Sequence, residues 1–242
     1  MSLAAAYMFG RNQDGGVTIP LSSFISYWKF NGNANDSVGA NNGTPSNISY
    51  PAGLIGNCAD FNGTNSSVVV PDADNLSFGN GTNDVDFSSI FLIKFDDLSN
   101  NPRVAIKINS NGTDFEYVFI PVNNIYRVAL RDDSNGGTVG FENNNALSIN
   151  NWSVLTSTYK ASTKELKVYF NNNVVNTDIS NAGYIAMENG TGNLAIGHDP
   201  RNPSFNALNG QINAFALLNV ELTPEQVAYA VNRLKVQNQH LI

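Results

Sequence analysis

Eight Asn-Gly pairs divide the 242-residue chain into short segments, and this spacing constrains its fold more than any other feature. Asparagine and glycine adopt positive φ at low cost, as the tight turns between twisted antiparallel strands require. With 39 asparagines and 20 glycines, the composition is that of a turn-rich protein. The pairs lie at 31–32, 42–43, 62–63, 80–81, 111–112, 135–136, 189–190 and 209–210. We therefore expect many short strands.

The segments between these pairs place β-branched or aromatic residues at every second position. In one of them, Leu166, Val168 and Phe170 alternate with Glu165 and Lys167, so one face of a strand points into the core and the other towards water. Strands are predicted over 24–30, 66–70, 87–95, 103–109, 115–121, 125–131, 152–160, 165–171, 193–197 and 211–219. This pattern predicts an all-β fold, a jelly-roll sandwich of two antiparallel sheets.

One short α-helix is predicted near the C-terminus. Residues 223–226, Thr-Pro-Glu-Gln, form a capping box with proline at the first helical position. Val227, Val231 and Leu234 follow as an apolar stripe. We expect the helix to run to about residue 239.

The charge and hydropathy of the chain exclude several classes of partner. Its net charge is −7 and it has no basic run, whereas nucleic-acid binding needs a cationic surface. No apolar stretch reaches the roughly 18–20 residues of a membrane span. The first residues lack a cationic region and a long apolar region, so we predict no signal peptide.

Six segments, taken in order, resemble laminin-G-like domains of the concanavalin A-like lectin/glucanase jelly-roll family. The resemblance implies two antiparallel sheets, one of them curved, and binding of glycans or proteins, often with a structural calcium. Some related folds are glycanases, and virus and phage tail or capsid proteins carry such domains too. The segments are 29–44, 53–72, 87–95, 152–175, 193–197 and 208–227.

We predict three parts of the chain on this basis. Residues 1–23 form an N-terminal extension, residues 24–222 form the laminin-G-like jelly-roll domain, and residues 223–242 form a C-terminal helix that packs on the sandwich.

Calcium is the cofactor that the acidic loops favour, because it binds six to eight oxygen ligands. Asp72 and Asp74 lie close together in one loop and Asp36 in another, although both loops are also typical of plain polar turns. Many family members carry Gly-x-Ile-Asp near their C-terminus, where the aspartate helps to hold calcium. Here Asn213 takes that place, and it offers a carbonyl oxygen without charge.

Two polar loops are the predicted ligand-binding sites, because sugar sites place amides and charged groups on loops that a rigid sheet presents. The same residues are also compatible with ordinary loops. The candidates are Arg131, Asp132 and Asn135 in the first loop, and His198, Asp199 and Arg201 in the second.

We expect no enzymatic activity. Related glucanases use Glu-x-Asp-x-Glu on one strand, and retaining glycanases need two carboxylates about 5–5.5 Å apart. No such run occurs here. The pairs Asp114–Glu116 and Asp84–Asp86 each share a strand face but lack a third carboxylate.

The sequence thus predicts a non-catalytic, lectin-like carbohydrate-binding module, outside the cell or on a virion, with a glycan or protein ligand. The alternative is a structural or assembly protein of a phage or virus particle, forming homo-oligomers or contacting other virion subunits. Its basis is two apolar ends, residues 3–9 and 240–242. A glycoside hydrolase is the third possibility, and the missing catalytic run disfavours it.

Overall fold

The computed structural model describes residues 17–202 and 206–236, which form a sandwich of two antiparallel sheets. The strands of this described part are β1 (Phe24–Trp28), β2 (Thr44–Ser46), β3 (Ala59–Asn62), β4 (Ser67–Val70), β5 (Phe87–Phe95), β6 (Ala105–Lys107), β7 (Tyr117–Val122), β8 (Ile125–Arg131), β9 (Thr138–Ala146), β10 (Trp152–Lys160), β11 (Glu165–Phe170), β12 (Asn176–Asp178), β13 (Leu194–Ile196) and β14 (Asn209–Leu218). Short 3-10 turns lie at Leu21–Ser23 and Asp74–Leu76.

One sheet has six strands and the other has eight. The first runs β1-β14-β5-β10-β11, with β3 also pairing with β14. The second runs β12-β9-β8-β7-β6-β13-β4-β2. Neighbouring strands pair antiparallel in both sheets. The predicted two-sheet antiparallel sandwich is therefore confirmed.

The main core lies between the sheets, because successive residues of a strand point to opposite faces and the inward-facing ones are mostly apolar. In β8, Tyr126, Val128 and Leu130 are fully buried and point inwards. On the six-stranded sheet, the rings of the paired residues Phe91 and Phe215 stack with their centroids 4.1 Å apart, and the Phe91 ring meets Phe119 of the other sheet edge to face at 5.2 Å. Such ring pairs stabilise a core beyond the area they bury.

The C-terminal helix α1 (Pro224–Val231) covers a second apolar cluster. It continues as a π-helical turn over Asn232–Val236. Its buried side chains Val227 and Leu234 pack with residues of β1, β5, β10 and β14 such as Tyr27 and Leu92. The helix therefore lies on the six-stranded sheet. The predicted end of the helix, near residue 239, lies outside the described residues. The division into parts at 23 and 222 stays a prediction.

All ten predicted strands occur, with ends that differ by a few residues. Four more strands, β2, β3, β9 and β12, are absent from the prediction. The expectation that every Asn-Gly pair marks a turn is wrong at Asn209-Gly210, which begins β14 and pairs with β3 and β5. By contrast, Asn135-Gly136 lies between the paired strands β8 and β9, with a φ of 72° at Gly136.

In the described residues, no helix is both long and apolar enough to cross a bilayer.

Candidate functional site

The outer face of the eight-stranded sheet carries a groove of about 240 Å³ with an apolar floor. Alternation along β6, β7 and β8 produces this floor, because each residue between two core residues points outwards. Ile106, Val118 and Ile120 pack there in a cluster separate from the main core. Among the described residues, the apolar lining consists of Ile106, Phe115, Val118, Ile120, Val122 and Ala129.

Four arginines and Thr138 complete the lining. We call this site the arginine-lined groove. Arg127 and Arg131 point outwards from β8, Arg103 precedes β6, and Arg201 follows β13. The whole chain contains only six arginines and has a net charge of −7. The groove is thus a local concentration of cationic side chains on an acidic protein.

Asp199 holds two of the four arginines in place. Its Oδ2 accepts from Arg103 Nε at 3.2 Å and from Arg201 Nη2 at 2.6 Å, while its Oδ1 accepts from Arg201 Nε at 2.9 Å. Only 3% of Asp199 is exposed. Burial alone raises the pKa of this carboxyl, but the bonds and charges of the arginines outweigh it and lower the pKa. Asp199 therefore stays ionised and orients both guanidinium groups.

The two arginines of β8 differ in how they are bound. Arg127 lies opposite Glu142 on β9 and donates to its Oε2 from Nε at 3.1 Å and from Nη2 at 2.6 Å. The Nε of Arg131 is buried and donates no hydrogen bond within the described residues, and a carboxylate oxygen of Asp133 lies 4.0 Å away. Of the four arginines, Arg131 is therefore the one held least tightly by the described residues, and its side chain is 36% exposed.

Of the predicted ligand-binding residues, the structure brings Arg131 and Arg201 together in the groove. Asp199 bonds Arg201, together with Arg103, and does not itself line the groove. His198 is 7% exposed and does not line the groove, and burial lowers the pKa of its imidazole. Ligand contact by these residues stays a prediction.

Asp132 and Asn135 anchor the turn between β8 and β9. The Asp132 carboxylate accepts from the backbone N–H groups of Asn135 at 2.9 Å and Ile185 at 2.8 Å, and from the Ser134 hydroxyl at 3.1 Å. Burial alone raises the pKa of Asp132, but these donors bring it down to about 2. The side chain of Asn135 also donates to Asp132, so both residues tie loops together rather than line the groove.

Sequence reasoning missed Arg103, Arg127 and Phe115 as site residues. The alternation that predicted β8 already placed Arg127 beside Arg131 on one face, and this signal was available in the sequence. Nothing in the sequence shows that loops distant along the chain bring Arg103 and Arg201 to the same edge.

The three aspartates predicted to bind calcium have other partners. Asp36 accepts from three backbone N–H groups with its two carboxylate oxygens, and Asp72 bonds Lys107 Nζ at 2.6 Å. Asp74 accepts weakly from Asn189, at 3.4 Å. No three acidic, histidine or cysteine side chains gather into a metal-binding group in the described part of the chain.

Asn213 is fully buried and clamps the loop before β3. Its Oδ1 accepts from the N–H of Ile55 at 2.7 Å, and its Nδ2 donates to the carbonyls of Ile55 and Asn57, both at 2.8 Å. Because the three aspartates do not gather into a metal-binding group and Asn213 bonds the loop before β3, the four predicted ligands do not form one calcium site as arranged in the described residues. Calcium binding by the protein stays a prediction.

The two carboxylate pairs of the hydrolase hypothesis also have structural partners. Glu116 is fully buried, and Asp114 accepts from Asn109 and Thr191. Asp84 accepts from the hydroxyls of Tyr159 at 2.6 Å and Tyr184 at 2.8 Å. These contacts hold loops against the sheets.

The family model of the concanavalin A-like lectin/glucanases superfamily matches residues 62–228. The chain belongs to this superfamily. The predicted resemblance is thereby confirmed over most of the sandwich, from β3 to α1. No curated protein sequence matches the chain at a significant level.

Solved structures similar to this superfamily member include a domain of an arabinanase and the binding domains of a botulinum neurotoxin and of a mosquitocidal protein. Domain 4 of a GH43 extracellular arabinanase from Geobacillus stearothermophilus, in complex with arabinotriose, has a TM-score of 0.59 and 19% identity over 86% of this chain and 98% of its own. The binding domain of botulinum neurotoxin DC, in complex with rat synaptotagmin II, has a TM-score of 0.66 and 16% identity over 90% of this chain. The binding domain of Paraclostridial Mosquitocidal Protein 1 has a TM-score of 0.63 and 15% identity over 88%. The chain spans about half the length of both toxin domains (53% each). At such identities these likenesses show the shared fold.

Proposed function

We propose that this protein is a non-catalytic carbohydrate-binding module whose glycan lies in the arginine-lined groove. The observation that carries the proposal is the groove's construction: an apolar floor on a rigid sheet, bordered by polar groups whose positions are set by ion pairs. Binding sites of this kind combine apolar surface with a few fixed polar groups. One relative of the same fold was solved in complex with arabinotriose.

Phe115 supplies the aromatic surface of the site. It lines the groove just before β7 and is only partly buried. The apolar face of a sugar ring can pack on such a ring, while arginines donate hydrogen bonds to its oxygens. The lining of the groove contains no carboxylate among the described residues, which supports a binding role over hydrolysis because hydrolysis needs a pair of carboxylates.

A location outside the cell or on a virion belongs to the same proposal, since glycans are presented there. The alternative role in particle assembly rested on the apolar ends at 3–9 and 240–242, which lie outside the described residues. It stays a prediction.

The proposal is tested by blocking the groove. Ala129 points outwards from the middle of β8 and lines the groove, so Ala129→Trp fills the groove without entering the main core. We expect calorimetric titration across a panel of neutral and acidic oligosaccharides to find a ligand for the wild type. We also expect Ala129→Trp to weaken its binding by at least about tenfold, which is about 1.4 kcal/mol.

Val175→Trp is the matched control, because Val175 is 56% exposed and does not line the groove. It adds the same ring to the surface and should bind as the wild type does. Failure of the wild type to bind any glycan of a broad panel would overturn the proposal, as would binding that Ala129→Trp leaves unchanged.

A further inference from the structure

We propose that the arginine-lined groove selects glycans that carry a carboxylate group, of which uronic acids are the simplest. This inference rests on the proposed glycan-binding function and names the class of ligand for the same site. It follows from three properties of the groove: which hydrogen-bonding groups it offers, its balance of charge, and the state of Arg131.

The polar groups of the lining are almost all donors. Apart from Thr138, every polar side chain that lines the groove among the described residues is an arginine, and a guanidinium has five N–H donors and no acceptor. A neutral sugar presents hydroxyls, which donate as well as accept, and needs acceptors in its site. A carboxylate only accepts hydrogen bonds, so it matches this lining better than hydroxyls do.

Most of these donors have no protein acceptor. The carboxylates of Asp199 and Glu142 receive five hydrogen bonds from the guanidinium groups of Arg103, Arg127 and Arg201. The remaining N–H groups of the four arginines have no acceptor in the described part of the chain. A bound anion with two oxygens would satisfy several of them at once.

The charges around the groove leave a positive excess. Arg127 and Glu142 compensate each other, but one carboxylate, Asp199, serves both Arg103 and Arg201. The fourth ion pair, Arg131 with Asp133, is long at 4.0 Å. The site therefore attracts one negative charge, although the whole chain carries −7.

Arg131 is the residue placed to bind that charge. Its side chain is 36% exposed, and its buried Nε has no hydrogen-bond partner among the described residues. A buried donor without an acceptor is costly, and a carboxylate accepts two parallel bonds from the fork of a guanidinium. The exposed terminal N–H groups of Arg131 make no hydrogen bond within the described residues, and they are the donors that a bound carboxylate would meet.

The experiment compares ligands that differ only in charge. Calorimetric titration uses oligosaccharides of galacturonic and glucuronic acid, their neutral methyl esters, and sulfated glycans as a separate arm. We expect an acid form to bind at least about tenfold more tightly than its own ester. We also expect added salt to weaken binding of the acid form and to affect the ester little.

Two variants assign the preference to Arg131. Arg131→Gln should reduce the ratio of acid to ester affinity to about one. Arg131→Lys should retain only part of the wild-type ratio, because lysine keeps the charge but lacks the two parallel N–H donors of a guanidinium. Lys167→Gln removes the same charge from the six-stranded sheet and should leave the ratio unchanged. Circular dichroism and thermal unfolding check that each variant folds.

The outcomes separate this inference from the proposed function. Equal binding of acid and ester, lost in Ala129→Trp, would overturn the carboxylate preference and keep the glycan site. Binding of sulfated glycans alone, or an acid preference that survives Arg131→Gln, would also overturn it. The absence of any glycan binding would overturn both.

Discussion

A network of buried charge lies where the loops beside β6 and β7 meet. Lys107 and Glu116 are both fully buried, with Lys107 Nζ 2.9 Å from Glu116 Oε1. The same oxygen accepts from the Ser77 hydroxyl and the N–H of Gly190, both at 3.1 Å, whereas Oε2 has no partner in the described residues. Burial raises the pKa of Glu116 to about 7, although its donors act in the opposite direction.

This raised pKa predicts that the protein loses stability towards alkaline pH. The folded state favours the neutral acid, so the stabilisation is complete below about pH 4.5 and is lost as the pH rises through about 7. Glu116→Gln cannot ionise. We therefore expect the free energy of unfolding of the wild type to fall relative to Glu116→Gln by about 2–3 kcal/mol between pH 4.5 and about pH 8, as measured by urea denaturation.

Glu165→Gln is the control, because Glu165 is a half-exposed glutamate of β11. The difference in the free energy of unfolding between Glu165→Gln and the wild type should not show the same fall between pH 4.5 and about pH 8. If the wild type instead gained stability over Glu116→Gln as the pH rose, the ion pair with Lys107 would outweigh burial, and the predicted direction would be wrong.

The strands show which parts of the fold can be predicted from the sequence. β5, β8 and β10 were predicted with the bounds that the structure has, because their alternating apolar residues face the core between the sheets. β9 was missed because its sequence, TVGFENNNA, is rich in glycine and asparagine and resembles a loop. It pairs with β8 and β12 through its backbone, and backbone pairing depends on neighbouring strands rather than on its own composition.

Helix α1 was predicted from its capping box, and the structure contains both bonds of that box. The N–H of Gln226 donates to Thr223 Oγ1 at 3.3 Å, and the N–H of Thr223 donates to Gln226 Oε1 at 3.0 Å. Gln226 also donates from Nε2 to the carbonyl of Thr18 at 3.0 Å. The cap thus connects the helix to the segment that precedes β1.

Removal of the cap should destabilise the protein modestly. Thr223→Ala leaves the N–H of Gln226 without its side-chain acceptor, and the loss of such a cap costs about 1 kcal/mol. Thr223→Ser keeps the hydroxyl and should stay within about 0.3 kcal/mol of the wild type. Urea denaturation monitored by far-ultraviolet circular dichroism measures both, and equal stability of the alanine and serine variants would contradict a role for the cap.

The candidate site could be predicted only in part, because it combines local and long-range features of the whole molecule. Arg131 and Arg201 were predicted from polar loops, and both line the groove. Asp132 and Asp199 were predicted as ligand-binding residues, yet both are buried and hold other groups in place. The sequence shows that a loop is polar but not whether its carboxylate points to water or to the backbone of another loop.

Two aspartates, Asp132 and Asp199, are buried in the described part of the chain, and Asp132 connects two distant loops of the sandwich. It joins the turn between β8 and β9 to the segment at 184–186, which lies more than 50 residues further along the chain. Its pKa of about 2 is below the ordinary value of 3.8. The stabilisation from this group is therefore present above about pH 3.8 and is lost as the pH falls through about 2.

The protein should accordingly be less stable in acid, and Asp132→Asn should remove part of this dependence. At pH 6 we expect the free energy of unfolding of Asp132→Asn to be about 2 kcal/mol lower than that of the wild type, since the buried N–H donors lose a charged acceptor. The gap should narrow as the pH falls from about 3.8 towards about 2, because the carboxyl group of the unfolded wild type binds its proton before that of the folded state does. Asp74→Asn, at an exposed aspartate, controls for the general loss of negative charge. Urea denaturation at each pH measures the gap, and a gap that stays constant from pH 6 to about pH 2 would show that the pKa of Asp132 is not lowered.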